Sequence, residues 1–143
     1  MLDSPLVSAA RSARDHAVAP YSQFKVGAAI ETADGTVVTG CNIENATYGL
    51  TICAERVAIF KALSEGHRRF RRIAVVADTV PLTAPCGACR QILWELGGDL
   101  EIVLALPLVE ALGGGLACAV RVERQHQPAG GEAVQQCHVV VGE

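Results

Sequence analysis

The chain has little aromatic surface and little charge. Of its 143 residues three are phenylalanine, two tyrosine and one tryptophan, and Asp, Glu, Lys and Arg together make up 19%. No aromatic residue follows Trp94, so the last third must pack on aliphatic and small side chains. No apolar run approaches the ~20 residues that a bilayer-spanning helix needs. Asp3 stands near the start with no continuous apolar stretch behind it, so the N-terminus does not read as a secretory signal. The net charge is −3, which argues against a nucleic-acid groove or an anionic membrane surface as partner. One basic cluster, Arg68, Arg69, Arg71 and Arg72, follows Gly66, where cations suit a helix C-terminus, and leads into a strand.

What is present is a chain that is 50% hydrophobic, long enough for one domain over residues 1–143 that buries roughly two-thirds of its unfolded surface. There are six cysteines. Without a secretory signal, a reduced cytoplasmic chain with cysteines at metal spacing is a better account of them than a disulfide framework.

Helix and strand signals alternate. Ser4-Pro5 is a helix start, with Leu6, Ala9, Ala10, Ala13 and Ala17 on the helical period and Pro20 closing the element. Residues 25–31 and 36–41 read as strands joined at Ala33-Asp34-Gly35, an Asp-Gly hairpin turn. A polar loop, 42–51, precedes a helix over 53–65 whose apolar residues lie on more than one side, so it is expected to be largely buried. A strand over 72–77, a helix over 86–96 stopped by Gly97-Gly98, and a strand over 100–106 follow. In the tail, Gly113-Gly114-Gly115 can turn the chain so that 116–122 pairs antiparallel to the preceding strand. Residues 134–141 would add an edge strand, with a loop at 125–131. Alternation of this kind indicates an α/β fold with helices on the faces of a sheet.

Two stretches carry the chemistry: Thr51-Ile52-Cys53-Ala54-Glu55-Arg56 and Pro85-Cys86-Gly87-Ala88-Cys89-Arg90-Gln91. A three-residue spacing on a helix places Cys86 and Cys89 on one face. Cys53 completes a trio for one zinc ion per chain, leaving the fourth tetrahedral position open as catalytic sites do. A water held there is a nucleophile near neutral pH, and Glu55 is the group to move its protons. Residues two apart on a regular helix diverge, so Cys53 must sit at the helix cap if it shares a site with Glu55. Three thiolates carry excess negative charge. Helix N-termini favour thiolate, and Arg56 can donate hydrogen bonds to the sulfurs. Cys41, Cys118, Cys137, His67, His126 and His138 remain as alternative ligands for a closed structural site, and Cys86 and Cys89 as a redox pair.

Cys-Ala-Glu followed by Pro-Cys-x-x-Cys resembles the signature of the zinc-dependent nucleoside and nucleobase deaminases. With Tyr21-Ser22-x-Phe24-x-Val26-Gly27-Ala28-Ala29 and Asn42-Ile43-Glu44-Asn45-Ala46-x-Tyr48-Gly49, the chain is similar to the small, three-cysteine, homotetrameric cytidine deaminases from about Pro20 to about Ala105. The resemblance implies a three-layer α/β/α fold with a mixed central sheet of about five strands. It implies hydrolytic deamination of cytidine and deoxycytidine in pyrimidine salvage, with attack at C4 and proton transfers by Glu55. It also implies that Asn42 and Glu44 hydrogen-bond the sugar hydroxyls, that Phe24 packs on the base, and that the backbone at Ala54 and Pro85-Cys86 reads the ring edge. Ala46 and Tyr48 would lean onto an adjacent subunit. The segment 106–143 departs from the family, lacking its Leu-Leu-Pro run and late phenylalanine, and is either a divergent ending or an altered reading frame of one. A deaminase of the same fold acting on another amino-pyrimidine, and a non-catalytic zinc or redox domain, are the rival functions.

Overall fold

The computed structural model describes residues 4–107, 117–121 and 138–140. Helix α1 spans Pro5–Arg14 and is capped by Ser4, whose hydroxyl accepts the Val7 N–H at 3.3 Å. It stops short of Pro20. Asp15, His16 and Ala17 tighten into i→i−3 turns, and Val18 leaves the helix to bond Asn42 and Glu44 as an isolated bridge. Strands β1 (Val26–Thr32) and β2 (Val37–Cys41) form the expected hairpin, with Gly35 at φ 90° and Asp34 accepting the Thr36 N–H. Helix α2 (Ala54–Ser64) ends in a Schellman turn: His67 N–H bonds Ala62 C=O and Gly66 N–H bonds Leu63 C=O, with Gly66 at φ 98°. Arg68 of the basic cluster donates to the Leu63 carbonyl at that helix end, and Arg72 pairs across strands with Glu31.

Strand β3 (Phe70–Ala77) leads to α3 (Gly87–Ile92) and then β4 (Glu101–Ala105). The helix expected over 86–96 is divided. Its α part ends at Ile92, and Leu93–Gly97 widens into a π turn, where a Cβ on Gly97 would fall 2.3 Å from Leu100 Cδ2, so that side chain would have to shift. Strands β5 (Ala117–Arg121) and β6 (His138–Val140) complete the sheet, both antiparallel to the strand before them. Among the described residues the sheet has six strands, close to the expected number, in the order β2-β1-β3-β4-β5-β6, with residues 138–140 at the edge. Among the described strands only the β3–β4 pair is parallel, as a crossover through α3 requires. The turn expected at Gly113–Gly115 and the loop at 125–131 lie outside the described residues.

Strand alternation sorts the core into two layers. Ala28, Ile30, Ile73, Val75, Ile102 and Leu104 face α2 and α3, while Ala29, Ala74, Val76 and Ala105 face Leu6, Val7 and Ala10 of α1. This is the α/β/α sandwich. Helix α2 is buried along one face only, through Ala54, Ala58, Ile59 and Ala62. Phe60, off that face, is exposed. No helix among the described residues is long and apolar enough to cross a membrane.

Register sets the position of the site. Gly27 pairs with Cys41 and Val26 with Ala77, so the end of β2, the start of β1 and the end of β3 are level. The loops leading to α2 and α3 both leave from that end. Close approach of α2 depends on Gly40, where a Cβ would lie 2.5 Å from Ala58 N and 2.6 Å from Ala54 O. Both are backbone atoms and cannot swing aside. Gly40→Ala should lower stability by about 3 kcal/mol or more, at the upper end for overpacking, read as a fall in melting temperature on the order of 10 °C. Gly49→Ala, where a Cβ meets nothing within 4 Å, should melt as the parent does.

Candidate metal centre and active site

Cys53 and Cys86 are both N-cap residues with extended backbones, at φ −76° and ψ 154° and at φ −66° and ψ 168°. Cys53 is at the cap as the shared site demands. Cys86, expected as the first residue of its helix, is instead the cap, one position earlier, and of the three cysteines only Cys89 lies on a helix. The cap geometry still brings the sulfurs together. The three Sγ atoms lie within 4.8 Å of one another, with Cys53 and Cys86 3.9 Å apart. Tetrahedral zinc with Zn–S bonds of about 2.3 Å spaces its sulfurs about 3.8 Å apart, so this donor set fits the ion. Among the described residues no other His, Cys, Asp or Glu cluster is disposed to hold a metal, and Cys41, Cys53, Cys86 and Cys89 are all free thiols.

Neither cysteine makes the side-chain hydrogen bond that a serine or aspartate cap makes to its own helix. The first-turn N–H groups of α2, beginning at Ala54, are thus not consumed by the cap. The electrostatics favour a bound cation. The Cys53 thiol is pulled down to about 5, chiefly by the hydrogen bond it shares with Cys89, with Arg56 and Cys86 adding to this against partial burial. Cys89 is shifted upward by that same bond and by its burial. Arg56 Nη2 donates to Cys53 Sγ at 3.4 Å, an interaction that also holds the guanidinium proton more firmly.

Glu55, 5% exposed, is the one buried carboxylate among the described residues. Burial pushes its carboxyl up to about 7, and the neighbouring Cys53 charge acts in the same direction. The pairing of Cys53 with Glu55 across a cap, rather than along a helix, is what allows that proximity. A carboxyl poised near neutrality beside three sulfurs is equipped to take up and return protons.

A cleft of about 670 Å³ opens beside the sulfurs, lined by Cys53, Arg56 and Cys86 and by two loops. Of the residues expected to contact substrate or a neighbouring subunit, Glu44, Ala46 and Tyr48 line it. Ala54 is buried at the α2 start. Asn42 and Phe24 stand outside the lining. The Asn42 amide is engaged within the chain: Oδ1 accepts the Val26 N–H at 2.8 Å and Nδ2 donates to the Phe24 carbonyl at 2.8 Å, leaving one Nδ2 hydrogen. Phe24 is 36% exposed. Tyr21, Ser22 and Thr51 also line the cleft, although no role followed for them from the sequence. The Tyr21-Ser22-x-Phe24 motif was the available signal. Thr51 orders the loop by accepting the Asn45 N–H through its hydroxyl at 3.0 Å.

Comparison with known proteins agrees with this chemistry. The family model of the cytidine and deoxycytidylate deaminase zinc-binding region matches residues 2–105. The chain is 59% identical over 91 residues to a cytidine deaminase of Halalkalibacterium halodurans, covering 64% of this chain and 69% of that one. It is 51% identical over 100 residues to a cytidine deaminase of Sporosarcina psychrophila, covering 69% and 74%. The crystal structure of cytidine deaminase from Burkholderia pseudomallei superposes with a TM-score of 0.72 at 52% identity, over 82% of this chain and 91% of that one. A matched region of this extent, containing all three sulfurs and Glu55, places the chain in the cytidine and deoxycytidylate deaminase family.

Proposed function

We propose that the chain hydrolyses the C4 amino group of cytidine, and of deoxycytidine, to give the uracil nucleoside and ammonia in pyrimidine salvage. The observation that carries this reading is the buried Glu55 carboxyl, held near neutrality beside the Cys53, Cys86 and Cys89 sulfurs. Zinc bound by these three residues would supply a water acidic enough to attack near neutral pH. Glu55 takes a proton from the attacking water and delivers it to ring N3, then takes the remaining proton from the new C4 hydroxyl and delivers it to the amine as the C4–N bond breaks, leaving the C4 carbonyl and ammonia. Arg56 draws negative charge from the ligand set through Cys53. The Ala54 N–H meets the ring edge, Phe24 packs on the base, and Asn42 and Glu44 take the sugar hydroxyls. A site that reads a hydroxyl rejects analogues lacking it, because its own polar groups are then unpaired.

The assembly we infer is a homotetramer. Tyr48 is 92% exposed at the cleft, and Tyr21, Leu50 and Phe60 are exposed as well, apolar surface that a lone chain leaves wet. Ala46 and Tyr48 would then meet the adjacent subunit. Three thiols that must stay reduced to serve as ligands suit the cytoplasm.

The assignments separate by experiment. Glu55→Gln should retain one zinc per chain and lose ~10²–10⁴-fold in cytidine turnover, followed by the absorbance change on uridine formation. Retained turnover would remove Glu55 from the mechanism. Cys86→Ala should lose metal and thermal stability together, whereas Cys41→Ala should keep its metal. A full complement of zinc in Cys86→Ala would refute the ligand set. Sedimentation equilibrium should give the mass of four chains, and a monomer with full activity would exclude a site shared between subunits.

A further inference from the structure

The loop from Pro20 to Phe24 forms part of the cleft wall and is held by one carboxylate. Glu44 Oε2 accepts the N–H groups of Tyr21 at 2.9 Å and Ser22 at 3.2 Å, and Glu44 Oε1 accepts the Ser22 hydroxyl. The Ser22 oxygen in turn accepts the Phe24 N–H at 3.0 Å. Between them Gln23 adopts φ 58°, with its side-chain amide donating to the Pro20 carbonyl at 3.0 Å. A left-handed backbone at a residue other than glycine persists only where its surroundings enforce it. Here Glu44 and Ser22 are those surroundings.

The arrangement constrains how Glu44 can meet a ligand. Each carboxylate oxygen offers two acceptor directions. Both on Oε2 are taken by backbone N–H groups. One on Oε1 is taken by Ser22, so a single direction remains, and its aim depends on which way the Ser22 hydroxyl holds the carboxylate. The same hydroxyl is the largest cause of the Glu44 carboxyl lying below its ordinary range, so it favours the charged acceptor.

We propose that Ser22 is a positioning residue for substrate. By donating to Glu44 and accepting from Phe24, it aims the one acceptor direction left on Glu44 at a sugar hydroxyl and ties that aim to the residue beside the base. The proposal deepens the deaminase reading and rests on it. It assigns to Ser22, a cleft residue, an action exerted through Glu44.

Kinetics on two nucleosides test this. Ser22→Ala should raise KM for cytidine on the order of tenfold, the scale of a hydrogen bond to a charged group, with kcat changed less than about threefold. For 2′,3′-dideoxycytidine, which offers Glu44 neither ring hydroxyl, KM (or Ki as a competitive inhibitor) should change by less than about twofold, since the aim of Glu44 no longer matters. Ser22→Thr, which keeps the hydroxyl, should restore the cytidine KM. Equal weakening on both nucleosides would show a loop that has merely collapsed and would overturn the proposal. So would an unchanged cytidine KM, or a fall confined to kcat. If the unaltered chain fails to deaminate cytidine, the functional reading falls and Ser22 with it. Normal parental turnover with parallel losses in Ser22→Ala removes only the role of Ser22.

Discussion

The site depends on where two segments stop being extended and become helical. A residue at the N-cap keeps strand-like dihedrals, and its side chain leaves the backbone in a direction that no residue inside the helix can take. Cys53 and Cys86 both occupy that position. Had Cys53 been one residue further into α2, the helical period would have turned Glu55 away from it. Had Cys86 begun α3, its sulfur would have followed the helix rather than met Cys53. The cap also brings each sulfur to the positive end of a helix, which is where a thiolate is favoured.

The sheet serves this arrangement. Level strand ends place the two loops side by side, and small residues let the helices come close. Gly40 admits the backbone of α2 at Ala54 and Ala58, and α2 itself is lined with alanine where it meets the sheet. A low aromatic content is no handicap in such a core, because thin side chains permit short distances between layers. Phe70 lies in that core and Trp94 packs against it, whereas the two tyrosines are used elsewhere. Tyr21 and Tyr48 stand at the cleft, largely uncovered by their own chain.

Much of this was legible in the sequence because it rests on local rules. The Ser4 cap, the Asp34-Gly35 turn, the Gly66 stop and the apolar runs of β1, β3 and β4 each follow from residues within a few positions. The cap position of Cys53 followed from a conflict between two spacings. Less legible were features set by tertiary context. The α1 pattern continues to Ala17, but the helix ends at Arg14 because Val18 is taken by a bridge with Ile43. The π turn at Leu93–Gly97, with the Leu100 side chain against Gly97, has no signal in the helical pattern of 86–96. The Glu44 clasp on Tyr21 and Ser22 joins residues more than twenty apart and has no signature in either segment alone.

One consequence follows from the separation of the ligands along the chain. Cys53 and Cys86 are 33 positions apart, with the whole of β3 between them. A cation gripping both is a removable cross-link around the central strand, and tying a loop of that length withdraws about 4 kcal/mol of freedom from the unfolded chain on a chain-entropy estimate. Folding strength and catalytic competence are then drawn from the same ion, so scarcity of zinc would weaken the scaffold at the moment it silenced the chemistry.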